Sequence, residues 1–277
     1  MKFLKIVLPL GGLLASMTAV HAQGGVFITG HDPDYHAALG SNANGARNII
    51  NDSLQYVTNH HLGSVLLVTD LTSGGGATSD PRLGLTDAGV TFDVADYGSG
   101  AAGVKNLSTV NFTNYSAVVV ASDFGGWLEQ RELNILNARS TDILNYVNGG
   151  GGLVAFAESA GNPGLTTSGD FGFLPFVTSS TATSQVESNF TVTPFGQTLG
   201  LVDSDVNGNV SHNIFTSLGG LNVVDEDVNG NAISAAYYGK IGNSGTQPTP
   251  EPASMAVIAI GVLGLVTLIV RRRRVNA

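Results

Sequence analysis

The densest chemistry in this 277-residue sequence is Gly30-His31-Asp32-Pro33-Asp34-Tyr35-His36, with two imidazoles and two carboxylates in six residues. Neutral imidazole nitrogen and anionic oxygen can share one coordination shell. His31, Asp34 and His36 are therefore candidate ligands of a divalent metal such as zinc, iron or manganese, the cofactor this set would take. Turn chemistry explains the same residues as well: Asp32-Pro33 as a turn, Asp34 as a helix cap and the histidines as solvated side chains. A second set is Ala157-Glu158-Ser159-Ala160-Gly161, a small-x-nucleophile-x-small pattern centred on Ser159. A catalytic serine needs a base and an acid. His212 is the single histidine after Ser159, and Asp225-Glu226 follows it. A glycine-rich turn whose serine caps a helix is the plainer alternative.

A third set is a near-repeat. Val202-Asp203-Ser204-Asp205-Val206-Asn207-Gly208-Asn209 returns as Val224-Asp225-Glu226-Asp227-Val228-Asn229-Gly230-Asn231. Each copy begins like a calcium loop, which makes Asp203, Asp205 and Asn207 candidate calcium ligands. The acid expected at the twelfth loop position is missing, since Ile214 and Ala236 stand there. Acidic Asn-Gly hairpin turns therefore compete with an incomplete calcium site.

These sets need elements to hold them. Gly25–Thr29, Val65–Thr69, Thr91–Ala95, Ala117–Ala121 and Leu153–Phe156 are short apolar runs that read as buried strands. Ala46, Ile49, Ile50, Leu54 and Val57 recur at helical spacing, and Trp127–Val147 reads as the longest helix, stopped by Gly149–Gly152. Apolar strands alternating with helices predict an α/β fold with a doubly wound, mostly parallel, flavodoxin-like sheet. After Phe171 the texture becomes Thr, Ser, Asn and Gly with alternating apolar residues, which predicts an antiparallel, β-rich C-terminal part. Ligands of such sheets bind beyond the carboxyl ends of the strands. The segments beginning at Gly30, Asp123 and Ala157 all fall there.

The ends of the chain read differently from its body. Residues 1–22 combine Lys2 and Lys5, an apolar run and Val20-His21-Ala22, the pattern of a signal peptide. Residues 23–243 form the expected α/β domain, residues 244–254 a linker, and residues 255–277 a transmembrane helix with a basic tail. Six of the 12 basic residues lie in those ends. Residues 23–270 hold the other six against all 21 acidic ones, a net charge of −15 where the whole chain carries −9. So acidic a body favours divalent cations and argues against nucleic acid as a partner. The absence of cysteine excludes disulfides and thiolate chemistry.

Pro250-Glu251-Pro252, the uncharged run Ala253–Val270 and Arg271-Arg272-Arg273-Arg274 occur in that order. The arrangement resembles the PEP-CTERM sorting signal. The resemblance implies export through signal peptidase and the secretion machinery, transient inner-membrane anchoring, and processing by an exosortase. It further implies a final place in the cell envelope or outside the cell, with exopolysaccharide as a candidate partner. Over residues 25–227 the body is similar to the class I glutamine amidotransferase-like fold, in its trehalose-utilisation-like branch. The likeness rests on the histidine-bearing first loop, the helix ending in Gly149-Gly150-Gly151-Gly152-Leu153-Val154-Ala155-Phe156, and Ser211-His212-Asn213-Ile214-Phe215 ahead of an acidic pair. A working amidotransferase places cysteine where this chain has Ser159, which argues against glutaminase activity. Ser159 and His212 carry over as candidate catalytic residues. The combined expectation is an exported PEP-CTERM envelope or matrix protein with a non-enzymatic or ligand-binding amidotransferase-like domain. The alternative is an exported hydrolase of carbohydrate or ester, using a His/Asp or Ser/His site at the strand ends.

Overall fold

The computed structural model describes residues 23–71, 81–98, 102–123, 125–158, 170–174, 176, 178–186 and 188–242. The predicted signal peptide, Ser159, the linker and sorting residues, and the predicted transmembrane helix lie outside these. Among the described residues, no helix is long and apolar enough to cross a membrane.

The apolar runs become β1 (Gly25–Thr29), β2 (Val65–Val68), β3 (Phe92–Asp96), β5 (Ala117–Val120) and β6 (Gly152–Ala155), with a short β4 (Val104–Asn106). They pair in parallel in the spatial order β4-β3-β2-β5-β6-β1. Alternate side chains enter two cores. Val26, Ile28, Leu66, Val68, Val118 and Val120 face one; Phe27, Val65, Leu67, Ala117 and Val119 face the other. A strand covered on both faces has no solvent side, which is why these runs are continuously apolar instead of alternating. Each large side chain so buried contributes about 1.5–3 kcal/mol.

Helix α1 (Pro33–Leu39), α2 (Ala43–Val57) and α3 (Pro81–Asp87) cover the second core. Asn42 caps α2 by accepting the Gly45 N–H at 3.1 Å, and Ala46, Ile49, Ile50, Leu54 and Val57 are its buried stripe. The first core is covered by α4 (Gln130–Ala138) and α5 (Ser140–Asn148). The single helix expected over Trp127–Val147 is thus two, interrupted at Arg139. That residue donates to the carbonyls of Leu107 at 2.6 Å and Val110 at 2.9 Å and stacks over Phe112, which ties the helix break to the loop before β5.

The C-terminal part is antiparallel, and it extends the same sheet. It comprises β7 (Ser179–Val186), β8 (Thr191–Val192), α6 (Pro194–Thr198), α7 (Asp203–Val206), β9 (Ser211–Ser217), β10 (Asn222–Glu226) and β11 (Ala232–Tyr238). β11 lies antiparallel along the whole of β1, followed by β10 and β8, while β9 bridges β11 to β7. The result is a mixed α/β sheet, parallel at its centre, with antiparallel C-terminal strands. The expected flavodoxin-like order is corrected in one respect: β1 does not sit inside the parallel block but at its end, between β6 and β11. Those two neighbours satisfy both hydrogen-bonding edges of a strand that is buried throughout.

Close approach of β9 to β1 requires Gly30. A Cβ there would lie 2.1 Å from the Asn213 carbonyl oxygen, while the Gly30 carbonyl accepts the His212 N–H at 2.7 Å. Gly30→Ala should destabilise the fold by about 1–3 kcal/mol in chemical denaturation; unchanged stability would contradict this contact.

Candidate functional site

Five of the six parallel strands deliver a carboxylate at or just beyond their carboxyl end. In spatial order they are Asp96 (β3), Asp70 (β2), Asp123 (β5), Glu158 (β6) and Asp32 (β1), and each is buried. The loops that carry them are stitched together by backbone bonds. Ala157 donates to the His31 carbonyl at 3.0 Å, Asp123 to Ala157 at 2.8 Å, and Asp70 to Trp127 at 2.9 Å.

Near β1 the compensation is imidazole. His31, fully buried, places Nε2 3.1 Å from Asp225 Oδ2 on β10 and Nδ1 3.2 Å from the carbonyls of Asn209 and Val210. A ring with acceptors on both sides donates on both sides, which is the imidazolium form. Burial opposes that charge most strongly, yet Asp225, the Val210 carbonyl and Asp32 together hold the pKa above the ordinary histidine value. Asp32 occupies the N-cap position of α1 without capping it. Its two oxygens instead face two imidazoles, His36 Nε2 at 3.3 Å and His212 Nε2 at 3.2 Å.

Asp34 turns away from this group. Its carboxylate accepts the Ser122 N–H at 2.8 Å and the Tyr35 N–H at 3.1 Å. Burial nevertheless pushes its pKa up to about 7, with the Asp32 charge adding to the shift. Glu158 is raised well above the usual carboxylate range, first by burial; the Phe171 N–H bonded to it opposes the shift, and Asp170 and Asp123 add to it.

The structure therefore brings His36 and His212 together through Asp32, and sends His31 to Asp225 and Asp34 to Ser122. The near-repeats part company. The first copy forms α7, where Asp203 accepts the Val192 N–H at 2.8 Å, Asp205 accepts Val202 N–H at 2.9 Å and Asn48 at 2.8 Å, and Asn207 brackets Phe190. The second copy forms the β10–β11 turn, closed by Asp227. Asp203, Asp205 and Asn207 thus satisfy backbone and side-chain donors around α7. The residues that sequence reasoning missed are Asp70, Asp96 and Glu132, whose carboxylate oxygens converge within 4.8 Å of one another. The signal for the first two was present: an acid follows each apolar run at Asp70, Asp96, Asp123 and Glu158.

Residues 248–274 match a family model, the PEP-CTERM protein-sorting motif. The chain carries an exosortase sorting signal. That motif implies an exported protein with exosortase as its processing partner, and it covers the tail alone. No curated protein and no solved structure matches the chain significantly.

The buried groups set a pH dependence. A native acid raised to about 7, as Asp34 is, keeps a proton that the unfolded chain releases near pH 4, so stability falls as pH rises between those values. His31 acts in the same sense: its contribution is complete below about pH 6.5 and is lost as pH rises through its higher folded value. The thermal unfolding midpoint should fall from about pH 5 to about pH 8. A midpoint that climbs across that interval would refute the assignment.

Proposed function

We propose that this exported chain is a cell-envelope or matrix protein whose amidotransferase-like domain, residues 23–243, binds a ligand at the carboxyl edge of its sheet without turning it over. The observation that carries the reading is the pairing of the edge groups with each other inside the fold. Asp32 lies between His36 and His212, His31 is closed between Asp225 and two carbonyls, and Asp34 holds the Ser122 amide. Such pairs give a fixed array of acceptors and donors. The acidic row suits the hydroxyl groups of a glycan, and the net charge of −15 over residues 23–270 favours a neutral exopolysaccharide over an anionic one. Support for the amidotransferase-like reading comes from the mixed sheet and from β9, which carries His212 to its carboxyl edge.

A hydrolase is the second reading, favoured by one contact: Asp32 at 3.2 Å from His212 is a ready acid–base pair. It would serve Ser159, which directly follows Glu158 in sequence. Two assays separate the readings. The ligand-binding account expects no fluorophosphonate labelling of Ser159, and retention of neutral exopolysaccharide that weakens about tenfold in Asp32→Asn, the equivalent of about 1.4 kcal/mol. Labelling of Ser159 that disappears in His212→Ala would establish the hydrolase instead.

A further inference from the structure

We propose that Asp70, Asp96 and Glu132 form a divalent-cation site suited to calcium, at the carboxyl ends of β2 and β3. One oxygen from each lies within 4.8 Å of the others. Calcium–oxygen bonds of about 2.3–2.6 Å place ligands on opposite sides of the ion at about that separation. The donors are all carboxylate oxygens, which favours a hard cation over zinc or copper. Parallel pairing of Val68 with Ala95 sets the two strand ends side by side, and the first turn of α4 brings Glu132 over them. β2 also borders the topological switch point, which lies between it and β5, and the helix after β5 supplies Glu132.

Independent of the clustering, two of these acids hold oxygens that nothing among the described residues satisfies. Among the described residues, Asp96 Oδ1 and Glu132 Oε2 lack a hydrogen-bond partner, although Asp96 is 2% exposed and Glu132 0%. Arg131 answers only part of the charge. Its guanidinium pairs with Asp70, reaches Glu129 at 3.3 Å and Glu132 Oε1 at 3.6 Å, and stacks 3.8 Å above the Tyr97 ring. One arginine does not reach Asp96 Oδ1 or Glu132 Oε2, and a buried carboxyl oxygen without a hydrogen-bond partner is costly. The site is separate from the imidazole group around Asp32 and from the calcium-loop pattern at Asp203, Asp205 and Asn207.

The test uses the full chain and terbium(III) as a calcium probe. Emission is excited through Trp127, the single tryptophan, whose carbonyl accepts the Asp70 N–H. Sensitised terbium emission that calcium displaces is expected, with affinity at least about tenfold weaker in Glu132→Gln and unchanged in Asp205→Asn. Asp96→Asn makes the same comparison if Glu132→Gln does not fold. Absence of sensitised emission, or equal affinity in the wild type and in the folded site variant, would overturn the proposal. Loss confined to Asp205→Asn would overturn it too, by moving the ion to α7. Neither outcome depends on glycan binding or on Ser159, so this site and the proposed function stand or fall separately.

Discussion

Five carboxylates in a row at one edge of a parallel sheet is the constraint around which the rest of this structure is arranged. Asp96, Asp70, Asp123, Glu158 and Asp32 are all buried, and they follow the spatial order of the strands that carry them. Carboxylates so buried cannot all be left ionised and unpaired. The structure answers them differently along the row. Imidazoles serve the β1 end, Arg131 serves the β2–β3 end, and the carboxyl groups of Asp34, Glu132 and Glu158 are raised mainly by burial, Asp34 to about 7 and Glu132 to about 8.

The His31–Asp225 pair gives this arrangement its topological consequence. The two residues are 194 positions apart, one just past the end of β1 and the other on β10. Their contact fastens the antiparallel strands to the carboxyl edge of the parallel ones, and the neighbouring backbone bonds from Gly30 to Ile233 and from His212 to Gly30 continue the same seam. His212 comes to face Asp32 only because β9 is held against that edge. The candidate site is therefore a product of where the C-terminal third joins the sheet, and not of the first loop alone.

Much of this was legible from the chain. The apolar runs gave β1, β2, β5 and β6 nearly to the residue, because a strand buried on both faces announces itself by composition. The stripe from Ala46 to Val57 gave α2 in the same way. Two kinds of feature were not legible. The break at Arg139 depends on carbonyls of Leu107 and Val110, about thirty residues earlier, which no helical periodicity records. The near-repeats also defeated local reading: the same Asp-x-Asp-x-Asn-Gly pattern is a helix beside α2 and a turn between β10 and β11, and long-range partners decide between them. Asp225 pairs with His31, whereas Asp205 is held by Asn48. The carboxylates of Asp70, Asp96 and Glu132 were visible as acids following apolar runs or opening a helix, but their convergence required the strand order.

Export and sorting rest on the tail, through the PEP-CTERM motif, while the body supplies an acidic edge that is neutralised by protons, imidazoles and one arginine. The central claim is that buried carboxyl groups there remain protonated near neutral pH. Infrared spectroscopy of the folded chain at about pH 6.5, more than two units above an ordinary carboxyl pKa, reads this directly through the carbonyl stretch of protonated carboxyl groups. The account predicts a protonated-carboxyl band in the folded chain that disappears on unfolding at the same pH. A folded spectrum showing carboxylates alone would contradict it.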